Sequence, residues 1–300
     1  MIRIADSHSD FAGFIALDGC KGRLYDHADP QKMLEGGVSL QVFAAWVPAD
    51  FSDRLSLGFR QIEYMHRLTS AEENMILCAS PEQLSAPGIK AVLAIESGDT
   101  IDCRVDMIQY VFELGARMMS LTWNVENGFG YGCHSRGGLK EKGLEAIREL
   151  NRLRMSLDIS HLNYEGFWDA AGIYVYPMCA SHSCCHRITP NQRNLKNDQI
   201  EYIIKSKGYI GVNFFTEFLR GEKASIGDIL DHIEYILSMG GQCCVGLGSD
   251  FCGIQYTPVG LKSVADFQKI PEAMAKRNYS DDLIHRICYS NLERYLLKFL

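Results

Sequence analysis

Eight short apolar runs of strand length, separated mainly by stretches of helical periodicity, constrain this chain more than any other feature. They begin near residues 2, 39, 91, 118, 155, 177, 209 and 243. Between them lie segments such as 140–153, where Leu144, Ile147, Leu150 and Leu153 fall on one stripe, as a helix covering a sheet requires. A helical stretch over 55–76 and a helix over 102–114, with Asp102 as its N-cap, fit the same scheme. The alternation predicts an α/β fold, a parallel (β/α)8 TIM-like barrel spanning 1–300 as one domain, closed by helices near 263–276 and 281–300. An open doubly wound sheet is the competitor. Its dinucleotide-binding form places G-x-G-x-x-G after the first strand, and that motif is absent there.

The ends of these runs carry the chemistry. The first, MIRIADSHSD, delivers His8 and Asp10 two positions apart, so both side chains share one face of an extended segment. Later runs end in Glu96, His161, His182 and Asp250. In a parallel barrel all C-terminal strand ends meet on one face, which makes these six residues neighbours. Three imidazoles and two or three carboxylates exceed what one open tetrahedral site needs. Two cations fit better, with His8, Asp10 and Glu96 on one and Glu96, His161 and His182 on the other, about 3.5–4 Å apart with a hydroxide between them. Asp250 is then free to move a proton. Ligands this rich in imidazole favour zinc over magnesium or calcium.

Charge and composition exclude other classes. A net charge of −7 without a dense Lys/Arg block argues against a nucleic-acid partner and for a small substrate. No apolar run approaches the ~20 residues of a spanning helix, and the start lacks a basic-then-apolar leader, so no membrane partner and a cytoplasmic location are expected. The eleven cysteines are scattered through apolar segments. Reduced buried thiols are expected, and the adjacent pairs Cys184–Cys185 and Cys243–Cys244 lack zinc-knuckle spacing.

With these residues in place, the chain resembles the membrane (renal) dipeptidase family, dizinc peptidases among the amidohydrolase-like barrels. The likeness runs through DSHSD, AIESGD, LGARMMSLTWN, GLEAIRELNRL, SLDISHL, PMCASHS, QRNLKNDQI, VNFF, GSDFCGI and SNLERYL. It implies that His8, Asp10, Glu96, His161 and His182 hold two Zn2+, with Glu96 as the bridge. It also implies that Asp250 is the acid/base and that Arg193 holds the carboxylate of a dipeptide. A planar guanidinium suits that task, because it can bind both oxygens at once. The activity implied is hydrolysis of L,L dipeptides, extending to L,D ones, by a metal-bridging hydroxide. A homodimer is in keeping with the family.

One departure stands out. The family usually has a histidine after the Leu-Thr of the fourth strand, where it helps bind substrate and stabilise the oxyanion, but here the residue is Trp123. Indole donates one hydrogen bond and relays no proton. Activity is then lower, or His134 in the following loop supplies the donor, or the substrate differs. Cys252 also replaces a common Asp. His27, His66, His232 and His285 are expected at the surface or at caps, Trp46 in the core, and His186 beside the site. Two rivals remain: a metal-dependent amidohydrolase acting on a cyclic amide or an N-acyl amino acid, and a metal-binding barrel without turnover.

Overall fold

The computed structural model describes residues 1–13 and 27–300. Among them nine parallel strands form one sheet: β1 (Ile4–Asp6), β2 (Val38–Trp46), β3 (Met75–Leu77), β4 (Ile89–Glu96), β5 (Ala116–Ser120), β6 (Ser156–Asp158), β7 (Cys179–Ala180), β8 (Tyr209–Val212) and β9 (Val245–Leu247). Pairing runs β2-β1-β9-β8-β7-β6-β5-β4, and β4 returns to β2 with Leu40 to Trp46 opposite Lys90 to Glu96. Eight strands therefore close into the expected barrel, in which each barrel strand pairs on both sides. The ninth, β3, is an appendage paired with the first residues of β4. The sequence reading absorbed it into the helical stretch over 55–76, because a three-residue apolar run fits either period. The helix there is Arg54–Ala71.

Covering helices lie close to their expected places, at Glu141–Leu153, Tyr164–Ala171, Asn197–Lys205 and Ile226–Ser238. Asp102 does not cap the helix that follows it. That helix is Asp106–Glu113 with no side-chain cap, and the Asp102 carboxylate instead accepts from Arg54 Nε at 3.0 Å. A helix at Pro30–Gly36 is capped by Asp29, which accepts from the Lys32 amide. Residues 11–37 read from the sequence as a Gly- and Asp-rich loop with a short helix near 31–35; of these, 14–26 lie outside the described residues.

The last helix, Asn291–Leu296, closes the N-terminal mouth of the barrel. Asn291 Nδ2 donates to the Val245 carbonyl at 2.8 Å, and the Tyr295 hydroxyl donates to the Pro177 carbonyl at 3.0 Å while accepting from Ser156 Oγ. These partners all sit at or just before strand starts. The opposite, C-terminal mouth is left for chemistry.

Candidate metal centre

The six strand-end residues come together at the C-terminal mouth. Asp6, buried at the end of β1, accepts from the Ser249 amide at 2.8 Å and from Gln41 Nε2 at 3.1 Å; the first of these ties the segment that carries His8 and Asp10 to the one that carries Asp250. Burial lifts the Asp6 carboxyl to about 6, despite those donors. His8 and Asp250 are joined further by a bond from the Asp250 amide to the His8 carbonyl at 3.2 Å. A Cβ on Gly253 would run into the Asp10 and Asp250 carboxylates, so this turn needs glycine. His161 (φ 69°) and Asp250 (φ 62°) both hold left-handed backbone, a strain of about 1–2 kcal/mol for an L-residue and one that gathers at functional sites.

Glu96 lies between two groups. Its Oε2 is 3.5 Å from His8 Nε2, while its Oε1 is 2.9 Å from His161 Nε2 and 3.7 Å from His182 Nε2. On the first side, Asp10 Oδ2 is 3.7 Å and Asp250 Oδ1 4.0 Å from His8 Nε2. That nitrogen is buried without a hydrogen-bond partner. Among the described residues, His8, Glu96 and His182 form one group able to hold a cation, and His8, Asp10 and Asp250 another. His8 thus belongs to both, and Asp250 stands closer to the ligand cluster than its expected separate role implied.

The histidines on the second side are fixed by partners the sequence did not reveal. His161 Nδ1 lies 2.7 Å from Asn124 Oδ1, an acceptor, so Nδ1 carries the proton. Ser181 Oγ gives its own proton to Asp158 and so accepts from His182 Nδ1 at 2.7 Å. Both Nε2 atoms therefore point lone pairs into the centre, only 2.8 Å apart. Burial, aided by the positive charges of Arg193 and His8, pushes both imidazoles well below the usual histidine range and keeps them neutral. Acceptors this close with no proton between them fit a cation. Burial opposes charge on His8, yet Glu96 and Asp10 raise it well above its ordinary value. The same burial, with Glu96 nearby, lifts Asp10 to about 6.

Asp250 is 13% exposed at the floor of the site, and desolvation raises its carboxyl to about 8 against the charge of His8. Asn213, at the end of β8, donates from Nδ2 to Asp250 Oδ2 at 2.8 Å. Cys184 lies behind this pair with Sγ 3.3 Å from the Asn213 carbonyl. Over the centre opens a cavity of about 430 Å3 whose walls include Trp46, Trp123, Phe215, Phe218 and Ile254. Trp46 is thus a wall residue and not core; its ring packs 5.3 Å from that of Trp123, which lies 6.0 Å from His161.

Arg193 and His134 are not on this wall. They line a second cavity of about 380 Å3, and His161 lies on the walls of both. Arg193 is buried, with Nη1 donating to Ser183 Oγ at 2.8 Å and Nη2 to the His182 carbonyl at 3.0 Å. His186 lines the same space. Two histidines expected at the surface are buried: His27, whose ring lies 5.2 Å from Phe251, and His232, whose Nδ1 accepts from the Cys185 amide at 3.0 Å. The periodicity held the second signal, since His232 shares the stripe of Ile229, Ile233 and Ile236. His66 and His285 are not buried. All ten cysteines among the described residues are free thiols. No helix of the described residues is long and apolar enough to cross a membrane.

Comparison with known proteins agrees with this geometry. Residues 2–298 match the profile of the membrane dipeptidase family, peptidase family M19. An uncharacterized dipeptidase of Schizosaccharomyces pombe is 30% identical over 91% of this chain and 74% of its own length. A crystal structure of a metallopeptidase from Rhodobacter sphaeroides, liganded with a phosphinate mimic of the dipeptide L-Ala-D-Ala, superposes with a TM-score of 0.93 at 25% identity, over 100% of this chain and 99% of its own. A second crystal structure, of a metallopeptidase called dipeptidase AC, gives 0.91 at 26% identity over 99% of each chain.

Proposed function

The chain belongs to the membrane dipeptidase family of metallopeptidases, and from that premise we propose that it is a zinc-dependent dipeptidase acting on L,L and L,D dipeptides. The observation that carries the reading is the cluster of acceptor atoms formed by Glu96, His161 and His182 beside His8, Asp10 and Asp250, at the floor of a cavity sized for a small ligand. We assign His8, Asp10, Glu96, His161 and His182 as the ligands of two Zn2+, zinc because imidazole dominates the set. When bound, these ions supply Lewis acidity toward the scissile carbonyl and toward the attacking water.

The chain's own residues do the rest. Asp250, held by Asn213 on one oxygen, takes the water's proton and returns it to the leaving amine. The aromatic wall of Trp46, Trp123, Phe215 and Phe218 receives the N-terminal residue and excludes water. Arg193, already anchored through Ser183 and the His182 carbonyl, presents its remaining N–H groups to the substrate's C-terminal carboxylate. The free thiols suit a reducing compartment, and we read the enzyme as cytoplasmic.

The test is hydrolysis of an L,L and L,D dipeptide panel by zinc-loaded protein, followed by release of free amine, with chelated protein and Asp250→Asn as controls. Cleavage that needs metal and Asp250 is the expected result. Silence across the panel with two ions bound per chain overturns the dipeptidase reading. Trp123 in place of the usual histidine then favours a cyclic amide or an N-acyl amino acid as substrate.

A further inference from the structure

The second cavity is cationic in a protein that is not. The chain carries a net charge of −7, yet Arg136, Arg193 and Lys196 all line this one space, with Glu165 the single acidic residue among its described lining. Several cations elsewhere sit in ion pairs: Arg152 lies 2.6 Å from Glu149, Arg277 2.8 Å from Asp231 and Lys269 2.6 Å from Asp266. Among the described residues, none of the three cavity cations has such a carboxylate partner. Lys196 is instead placed by the Tyr164 ring, 3.9 Å below its Nζ, and Arg193 Nε is buried with no acceptor.

Unpaired cations of one sign facing a shared space raise the local potential and select for anions. One carboxylate satisfies Arg193 alone. Arg136 and Lys196 line the same space and are exposed to solvent, open to a second anionic group on the ligand. We infer that this cavity reads a second carboxylate, so that the preferred substrates are dipeptides whose C-terminal residue is itself acidic. Arg193 takes the main-chain carboxylate, and Arg136 with Lys196 takes that of the side chain. This specificity rests on the dipeptidase reading above.

The experiment compares kcat/KM for alanylglutamate, alanylglutamine, alanylalanine and alanyllysine, each with an L- and a D-configured second residue, on metal-loaded enzyme. Glutamate and glutamine differ in charge with little change in shape. A preference for alanylglutamate over alanylglutamine of about tenfold or more is expected, the worth of one hydrogen bond to a charged group. The preference should shrink with added salt. In the Arg136→Ala, Lys196→Ala double variant the ratio should fall toward one. In Arg136→Glu, Lys196→Glu it should invert in favour of alanyllysine. Cleavage of alanylalanine with no preference for glutamate, or a preference unmoved by both double variants, overturns this inference and leaves the dipeptidase reading standing. Cleavage of none of the peptides overturns both.

Discussion

The Nε2 atoms of His161 and His182 lie 2.8 Å apart, and neither ring has a proton to place between them. Asn124 holds the Nδ1 proton of one, and the Ser181–Asp158 pair holds that of the other. The Glu96 carboxylate adds a third acceptor 2.9 Å from His161. Without a cation this cluster is repulsive in a buried setting. Removing metal is therefore expected to cost stability as well as activity. With free ion at 1,000 times its Kd, the bound form gains about 4 kcal/mol, visible as a rise in Tm over the chelated protein. Equal Tm values with and without chelator would contradict the assignment.

The Ser181–Asp158 pair also sets the basicity and aim of His182. Ser181→Ala removes the acceptor for His182 Nδ1 while leaving every ligand in place. Metal affinity should drop by about 10–100-fold, read by competition with a chromophoric chelator. An unchanged affinity would show that the pair is structural only.

Much of this arrangement was legible in the sequence, and the reason is physical. Strand-length apolar runs alternating with amphipathic helices admit few architectures, and barrel closure carries strand ends to one mouth, so His8, Asp10, Glu96, His161, His182 and Asp250 could be grouped without coordinates. Groups that act through another side chain were not legible. Asn124 adjoins Trp123 and Ser181 adjoins His182 in the chain, but adjacency does not say which ring nitrogen a side chain meets. β3 was lost because Met75, Ile76 and Leu77 suit either period. Trp46 ends β2 at the mouth, a position that pattern alone cannot separate from core. Arg193 and His134 face a neighbouring cavity because loop paths, unlike strand ends, do not follow from periodicity.

Asp250 is the proton carrier in the proposed reaction. Asp250→Asn keeps the shape and the Asn213 neighbour but cannot accept a proton at that oxygen pair. A fall in kcat of about 10²–10⁴-fold is expected, with metal content measured by elemental analysis unchanged. If kcat holds, another group moves the proton.

His232, which is not one of the grouped metal ligands, gives stability a pH dependence of its own. It is fully buried, and burial lowers its affinity for a proton in the folded chain, despite the Leu219 carbonyl 3.2 Å from Nε2. A histidine depressed on folding contributes stability that is complete above its unfolded pKa. As the pH falls through about 6.5, the unfolded chain binds the proton first and stability declines. The slope from this one group approaches about 1.4 kcal/mol per pH unit until the folded form titrates. His232→Asn, whose Oδ1 can still accept from the Cys185 amide, should be less stable at pH 7.5. Its stability should also depend less steeply on pH between 6.5 and 5, in urea melts compared with the parent. Parallel pH profiles would remove His232 from this role.

Trp123, on the wall of the cavity over the metal ligands, is the position to test for an effect on rate or substrate. Its ring is tilted against those of Trp46 and His161, so it fills the cavity wall beside the ligand cluster. An indole N–H is a single directed donor on a large rigid ring, whereas an imidazole is smaller and can carry charge. If an oxyanion donor is what the site lacks, Trp123→His should raise kcat on small dipeptides by up to about 10²-fold. Trp123→Phe, which keeps the bulk and loses the N–H, should stay near the parent. If instead Trp123→His loses activity and Trp123→Phe retains it, the aromatic surface itself binds substrate. The effect would then fall on KM, because a group that grips ground and transition states alike changes KM and leaves kcat alone. Measuring both constants for both variants separates a missing donor from a stacking platform, and so fixes whether the departure at this position tunes the rate or selects the substrate.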